Sequence, residues 1–71
     1  MRYVGNDPDV LREYVGSVLT FVTRMAGCWV TGVLLDTFEV GSIEYVLIDT
    51  EKNFLDERFV ALRVIDIKYI Y

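Results

Sequence analysis

The sequence predicts a mainly β domain: a small, five-stranded, strongly bent antiparallel barrel preceded by a short N-terminal α-helix. Three observations carry that expectation. Beyond residue 16 the chain is rich in β-branched and aromatic residues, punctuated at short intervals by glycine or charge. Ahead of that region stands a compact helix-start signal. The chain has 71 residues, one cysteine and no histidine, which leaves room for a single domain, 1–71, with neither a disulfide nor a Cys/His zinc site to staple it. Self-association is then the expected source of extra stability.

Residues 1–6 form an N-terminal extension, 7–16 the helix and 17–71 the barrel. In the helix, Asp7 is the expected N-cap, Pro8 suits the first turn because its missing N–H costs nothing there, and Asp9 favours the positive end of the dipole. Val10, Leu11, Tyr14 and Val15 make one apolar stripe, and Gly16 is placed to close the helix in the left-handed conformation. Strands are expected at 17–24, 28–38, 42–49, 57–60 and 64–69. The breaks between them are Met25-Ala26-Gly27, Glu39-Val40-Gly41 and the polar run 50–56. The run 58–71 exceeds an ordinary strand, and Ala61-Leu62-Arg63 has the helix-tolerant residues for a one-turn break. A helix followed by short bent strands in a chain of this size is the layout of an SH3-like or OB-like barrel. Val18, Leu19, Phe21 and Val22 put apolar groups on both faces of the first strand, so one face fills the barrel and the other calls for a neighbouring subunit.

Several function classes are excluded by inventory. Eleven acidic against seven basic residues, a net charge of −4, oppose extended phosphate-backbone contact. The longest charge-free stretches, 14–23 and 25–35, are too short to span a bilayer, so no membrane span is expected. The N-terminus lacks the apolar run of a signal peptide, and one unpaired cysteine fits a reducing compartment, so a cytoplasmic location is expected. With no histidine base, nucleophile elbow or phosphate loop, no enzyme activity, cofactor or metal is expected. Cys28 reads as a small buried hydrophobe, Trp29 as core or rim packing, and the scattered acids as solvated surface.

The run Asn6-Asp7-Pro8 through Val10-Leu11 to Gly16, followed by Val18-Leu19-Thr20-Phe21, resembles the Pro-x-x-x-Leu helix, closing glycine and first strand of the Sm-like family (Sm, LSm and Hfq proteins). Gly32-Val33-Leu34-Leu35 with Asp36 is similar to that family's first signature, Val46-Leu47-Ile48-Asp49 to its third strand, and Phe59 to Ile67 to the spacing of its second signature. The resemblance spans roughly residues 6 to 70 and implies a ring-forming, RNA-associated barrel. It makes Asp36, Phe38, Arg58 and Arg63 the candidate RNA-binding residues, with Phe38 as a stacking platform for single-stranded RNA. Phe59, Val60, Leu62, Val64, Ile65 and Ile67 become the candidate subunit interface. The departures fall on the base pocket. Val40 stands at the family's base-reading Asn, Val60-Ala61 at its Arg-Gly pair, and Gly32 is closer to Asp36 than the family's glycine is to its aspartate. The alternative reading is a ring that serves as a structural or protein-interaction scaffold and binds no RNA. A third is an SH3-like module that captures peptides through Trp29 and the exposed tyrosines.

Overall fold

A computed structural model describes residues 1–25, 28–54 and 57–71, with the side chains of 52–54 and 57 left aside. The expected turn at Ala26-Gly27 and the end of the expected loop at Leu55-Asp56 lie outside the described residues. The chain is mainly β. One antiparallel sheet contains β1 (Arg2–Tyr3), β2 (Val18–Thr23), β3 (Trp29–Val40), β4 (Ile43–Phe54), β5 (Glu57–Arg63) and β6 (Ile67–Ile70), in the order β1-β6-β2-β3-β4-β5. The short helix α1 (Pro8–Arg12) precedes β2, and a single 3-10 turn at Val64–Asp66 joins β5 to β6.

The sheet is open, with β1 and β5 at its two ends, rather than closed by strand pairing into the expected barrel. It is nevertheless strongly bent. A straight twelve-residue strand such as β3 or β4 would run about 40 Å at about 3.3 Å per residue, whereas the longest dimension of the molecule is 27 Å. The register shifts that permit the bend lie at Leu35 in β3, after Val22 in β2 and between Asp49 and Phe54 in β4.

There are six strands rather than five, because part of the expected N-terminal extension pairs with β6. Arg2 lies opposite Ile70 and Tyr3 opposite Tyr69. The Val4 N–H then donates to the Lys68 carbonyl at 3.0 Å, and Val4 itself is buried. Covering the β6 edge satisfies backbone groups that would otherwise face solvent or another chain. The helix is shorter than 7–16. Asp7 caps it as expected, accepting from the Asp9 N–H at 2.9 Å, and Arg12 pairs with Asp9. Beyond Arg12 the N–H groups of Tyr14 and Ser17 bond to carbonyls three residues back, and Gly16 turns the chain at φ +93° so that its own N–H reaches the Leu34 carbonyl at 2.7 Å. Docking onto β3 therefore takes over where α-helical bonding stops.

The expected break at 61–63 falls instead at Val64–Asp66. Ala61, Leu62 and Arg63 stay in the ladder opposite Leu47, Val46 and Tyr45, so cross-strand pairing overrides their helix tolerance. The turn is held by Asp66, whose carbonyl accepts from the Arg24 N–H at 2.8 Å and whose carboxylate takes both donors of Arg63. Likewise Val40 pairs with Ile43, leaving Gly41-Ser42 as a two-residue hairpin turn, and β4 runs through much of the expected 50–56 loop.

The core lies on the concave face. Leu19 and Phe21 of β2, Val30 and Leu34 of β3, Val46 and Ile48 of β4, Ile67 and Ile70 of β6, together with Val4, Leu11 and Val64, form one buried cluster. Strand alternation thus sends Val18 and Val22 outward, along with most of the aromatic residues.

Candidate functional site

On the outward face of β3, β4 and β5, three residues fall in one row across the strands: Phe38, Tyr45 and Arg63. Directly opposed residues share a face, so the register alone brings them together. The Phe38 and Tyr45 rings stack, with centroids 5.3 Å apart and planes at 11°. Arg63 lies at the end of this row and lines a cleft of about 430 Å³ with Pro8, Ile43 and Ile65. Asp36 lies two residues before Phe38, just after the Leu35 bulge and opposite Leu47, and its Oδ1 accepts from the Thr37 N–H at 2.8 Å.

Both candidate arginines are already engaged by carboxylates of their own chain. Arg58 grips Asp49 with two parallel bonds, Nε to Oδ1 and Nη2 to Oδ2, each 2.9 Å, while its guanidinium lies over the Phe59 ring at 5.2 Å. Arg63 grips Asp66 in the same forked manner, at 2.8 and 3.3 Å. The hydrogen bonds from Arg58, and then the Glu51 N–H, hold the Asp49 carboxyl below the usual carboxylate range. Asp49 in turn raises Arg58 above its ordinary value, and Asp66 does the same for Arg63. The row therefore combines stacked rings with guanidinium groups whose charge is locally balanced.

Phe38 and Arg63 are brought together, Asp36 stands beside them, and Arg58 is engaged lower down the β4–β5 ladder. Tyr45 and Asp49 were missing from the sequence reading. The alternation Ile43, Tyr45, Leu47, Asp49 against buried Val46 and Ile48 was the available signal for both. Of the six interface candidates, Val64 and Ile67 are sealed in the chain's own core, Val60 and Leu62 are partly buried, and Phe59 and Ile65 are each 50% exposed. Partners for Arg58 or Arg63 at Asp56 or Glu57 fall outside the described side chains.

The Asp49–Arg58 pair makes a pH prediction. A carboxyl whose folded pKa is depressed contributes stability above its unfolded pKa, near 3.9, and loses that contribution as pH falls through the folded value. The thermal midpoint of the wild-type chain should therefore fall more steeply below about pH 4 than that of Asp49→Asn, measured by circular dichroism from pH 7 to 2. Parallel curves would remove Asp49 as an acid-sensitive group.

A second set of residues occupies the outward face over β1, β6, β2 and β3. Tyr3, Tyr69, Val22 and Trp29 form one row across four strands. In the next row, Tyr71 exchanges two backbone bonds with Thr20, which lies opposite Thr31. Trp29, expected in the core or at the rim, is 59% exposed and stacks on Tyr71 at 6.3 Å and 28°. Cys28 is only partly buried. Among the described residues no group of three His, Cys, Asp or Glu could hold a metal, and no helix is long and apolar enough to cross a membrane.

No protein-family model matches the chain, and no curated protein or solved structure matches it significantly.

Proposed function

We propose that the chain is an Sm-like binding subunit, without enzymatic activity, that assembles with copies of itself into a ring and serves as a structural or protein-interaction scaffold. The observation that carries this reading is the free side of β5. This strand ends the sheet, pairs only with β4 among the described residues, and carries Phe59 exposed beside it, with exposed Ile65 just beyond. An unpaired strand edge beside apolar side chains is a template for another chain. The balanced arginines add to it, since neither Arg58 nor Arg63 brings an uncompensated positive charge to a phosphate.

RNA association is the second reading, favoured by one specific feature: the stacked Phe38–Tyr45 pair with Arg63 in register on an open face. A base could stack on the free side of either ring. One experiment separates the two readings. Native mass spectrometry of the chain at micromolar concentration, with and without a uridine decamer, should show a closed homo-oligomer that takes up no RNA. A monomer would overturn the assembly, and a stoichiometric RNA adduct lost on Phe38→Ala would establish the second reading in place of the first.

A further inference from the structure

We propose that the outward aromatic face over β1, β6, β2 and β3 is a docking site for proline-rich peptide segments that carry an acidic residue. This names a partner chemistry for the scaffold reading, but the site is complete within one subunit and does not depend on assembly.

Tyr3, Trp29 and Tyr71 are more than half exposed, although aromatic rings are the side chains that gain most from burial. They are also organised. Tyr3 packs edge-on against Tyr69 at 5.8 Å, and Trp29 stacks on Tyr71 at 6.3 Å, so each ring is oriented by a neighbour before any ligand arrives. The hydroxyls of Thr20 and Thr31, 3.0 Å apart, fill the sheet between them.

The spacing suits one kind of chain. Tyr69 and Trp29 flank Val22 in a single row, so two strand spacings, about 9.6 Å, separate their backbones. A polyproline II helix returns a side chain to the same side every third residue, about 9.3 Å along its axis. Successive prolines of a Pro-x-x-Pro segment laid across the strands would meet Tyr69 and Trp29 in turn, with Val22 beneath the residues between. Such a helix leaves its carbonyls unbonded, and this face offers tyrosine hydroxyls and the indole N–H as donors.

Charge selects the acidic character. Arg2, Arg12, Arg58 and Arg63 each face a carboxylate of their own chain, whereas Lys68 has no ion-pair partner among the described residues. Its Nζ stands over the Tyr69 ring, 5.4 Å from the centroid, at the edge of the site. One free cation suits one carboxylate and is too little for a run of phosphates.

The test uses the whole chain and a synthetic decapeptide with two Pro-x-x-Pro repeats ending in glutamate. Trp29 is the only tryptophan, so its fluorescence reports on the site directly. The expected result is a saturable change below about 1 mM peptide. By calorimetry, Tyr69→Ala and Tyr71→Ala should weaken binding at least tenfold. Lys68→Ala should weaken it several-fold for the acidic peptide only. Heteronuclear NMR of the unaltered chain should place the peptide-induced shifts on Val22, Trp29, Tyr69 and Tyr71, which keeps the proposal testable if a variant fails to fold. Absence of saturable binding overturns it, as do shifts centred on Phe38 and Tyr45. Tighter binding of a uridine decamer or a cello-oligosaccharide than of the peptide would overturn it in favour of that ligand.

Discussion

Phe21→Ala should leave much of the chain unfolded at room temperature. Phe21 is the largest fully buried side chain and sits opposite both Val30 of β3 and Ile70 of β6, at the centre of the sheet. Truncating a buried phenylalanine removes its transfer free energy and leaves a cavity, together about 3–5 kcal/mol. A domain of this size has a total stability of only about 4–10 kcal/mol. The expected fall in thermal midpoint is at least about 15 °C. Phe59→Ala is the control: its half-exposed ring stands on the outward face, and its removal should cost less than about 1 kcal/mol. Equal losses for the two variants would mean that the inward and outward faces of the sheet are assigned the wrong way round.

Gly32→Ala should be the most damaging change of a single methyl group, because of space rather than backbone freedom. A Cβ built at Gly32 would lie 2.4 Å from the Asp49 carbonyl oxygen and 2.8 Å from Ile48 Cγ2. The first neighbour is backbone, held in the ladder by the pairing of Val33 with Asp49, so it yields only if β3 and β4 move apart at the bend. Overpacking of this kind costs about 1–3 kcal/mol and more when the backbone shifts, well above the gain of about 0.4–1 kcal/mol from stiffening the unfolded chain. Urea denaturation should show a net loss of at least about 2 kcal/mol. A neutral or stabilising alanine would show that the close approach of the two strands is absent in solution.

These two residues also mark the limits of sequence reading here. The place of Phe21 inside was implied by its two-residue spacing from Leu19, but Val18 and Val22 offered an equally apolar face, and nothing local chose between them. Gly32 was noticed only for its resemblance to a signature glycine. Its physical reason, a backbone carbonyl seventeen residues later in the chain, exists only after β4 has folded over β3. The same holds for the candidate site. Phe38 and Arg63 could be singled out by residue type, but their alignment on Tyr45 follows from two registers, one on each side of β4. The carboxylates that occupy Arg58 and Arg63 follow from the β4–β5 pairing and the 3-10 turn, and the turn itself was expected three residues too early.

What the sequence by itself determined is local: the Asp7-Pro8 helix start, the turn at Gly16, the predominance of strands and the breaks between them. Caps, φ preferences and alternation act through neighbours a few residues apart. The tertiary structure alone decided which apolar face became the core, that Arg2 and Tyr3 extend the sheet, and that Trp29 and three tyrosines share one open surface. Each of those outcomes depends on register between distant segments, and a slip of one residue would turn every side chain of a strand to the other face.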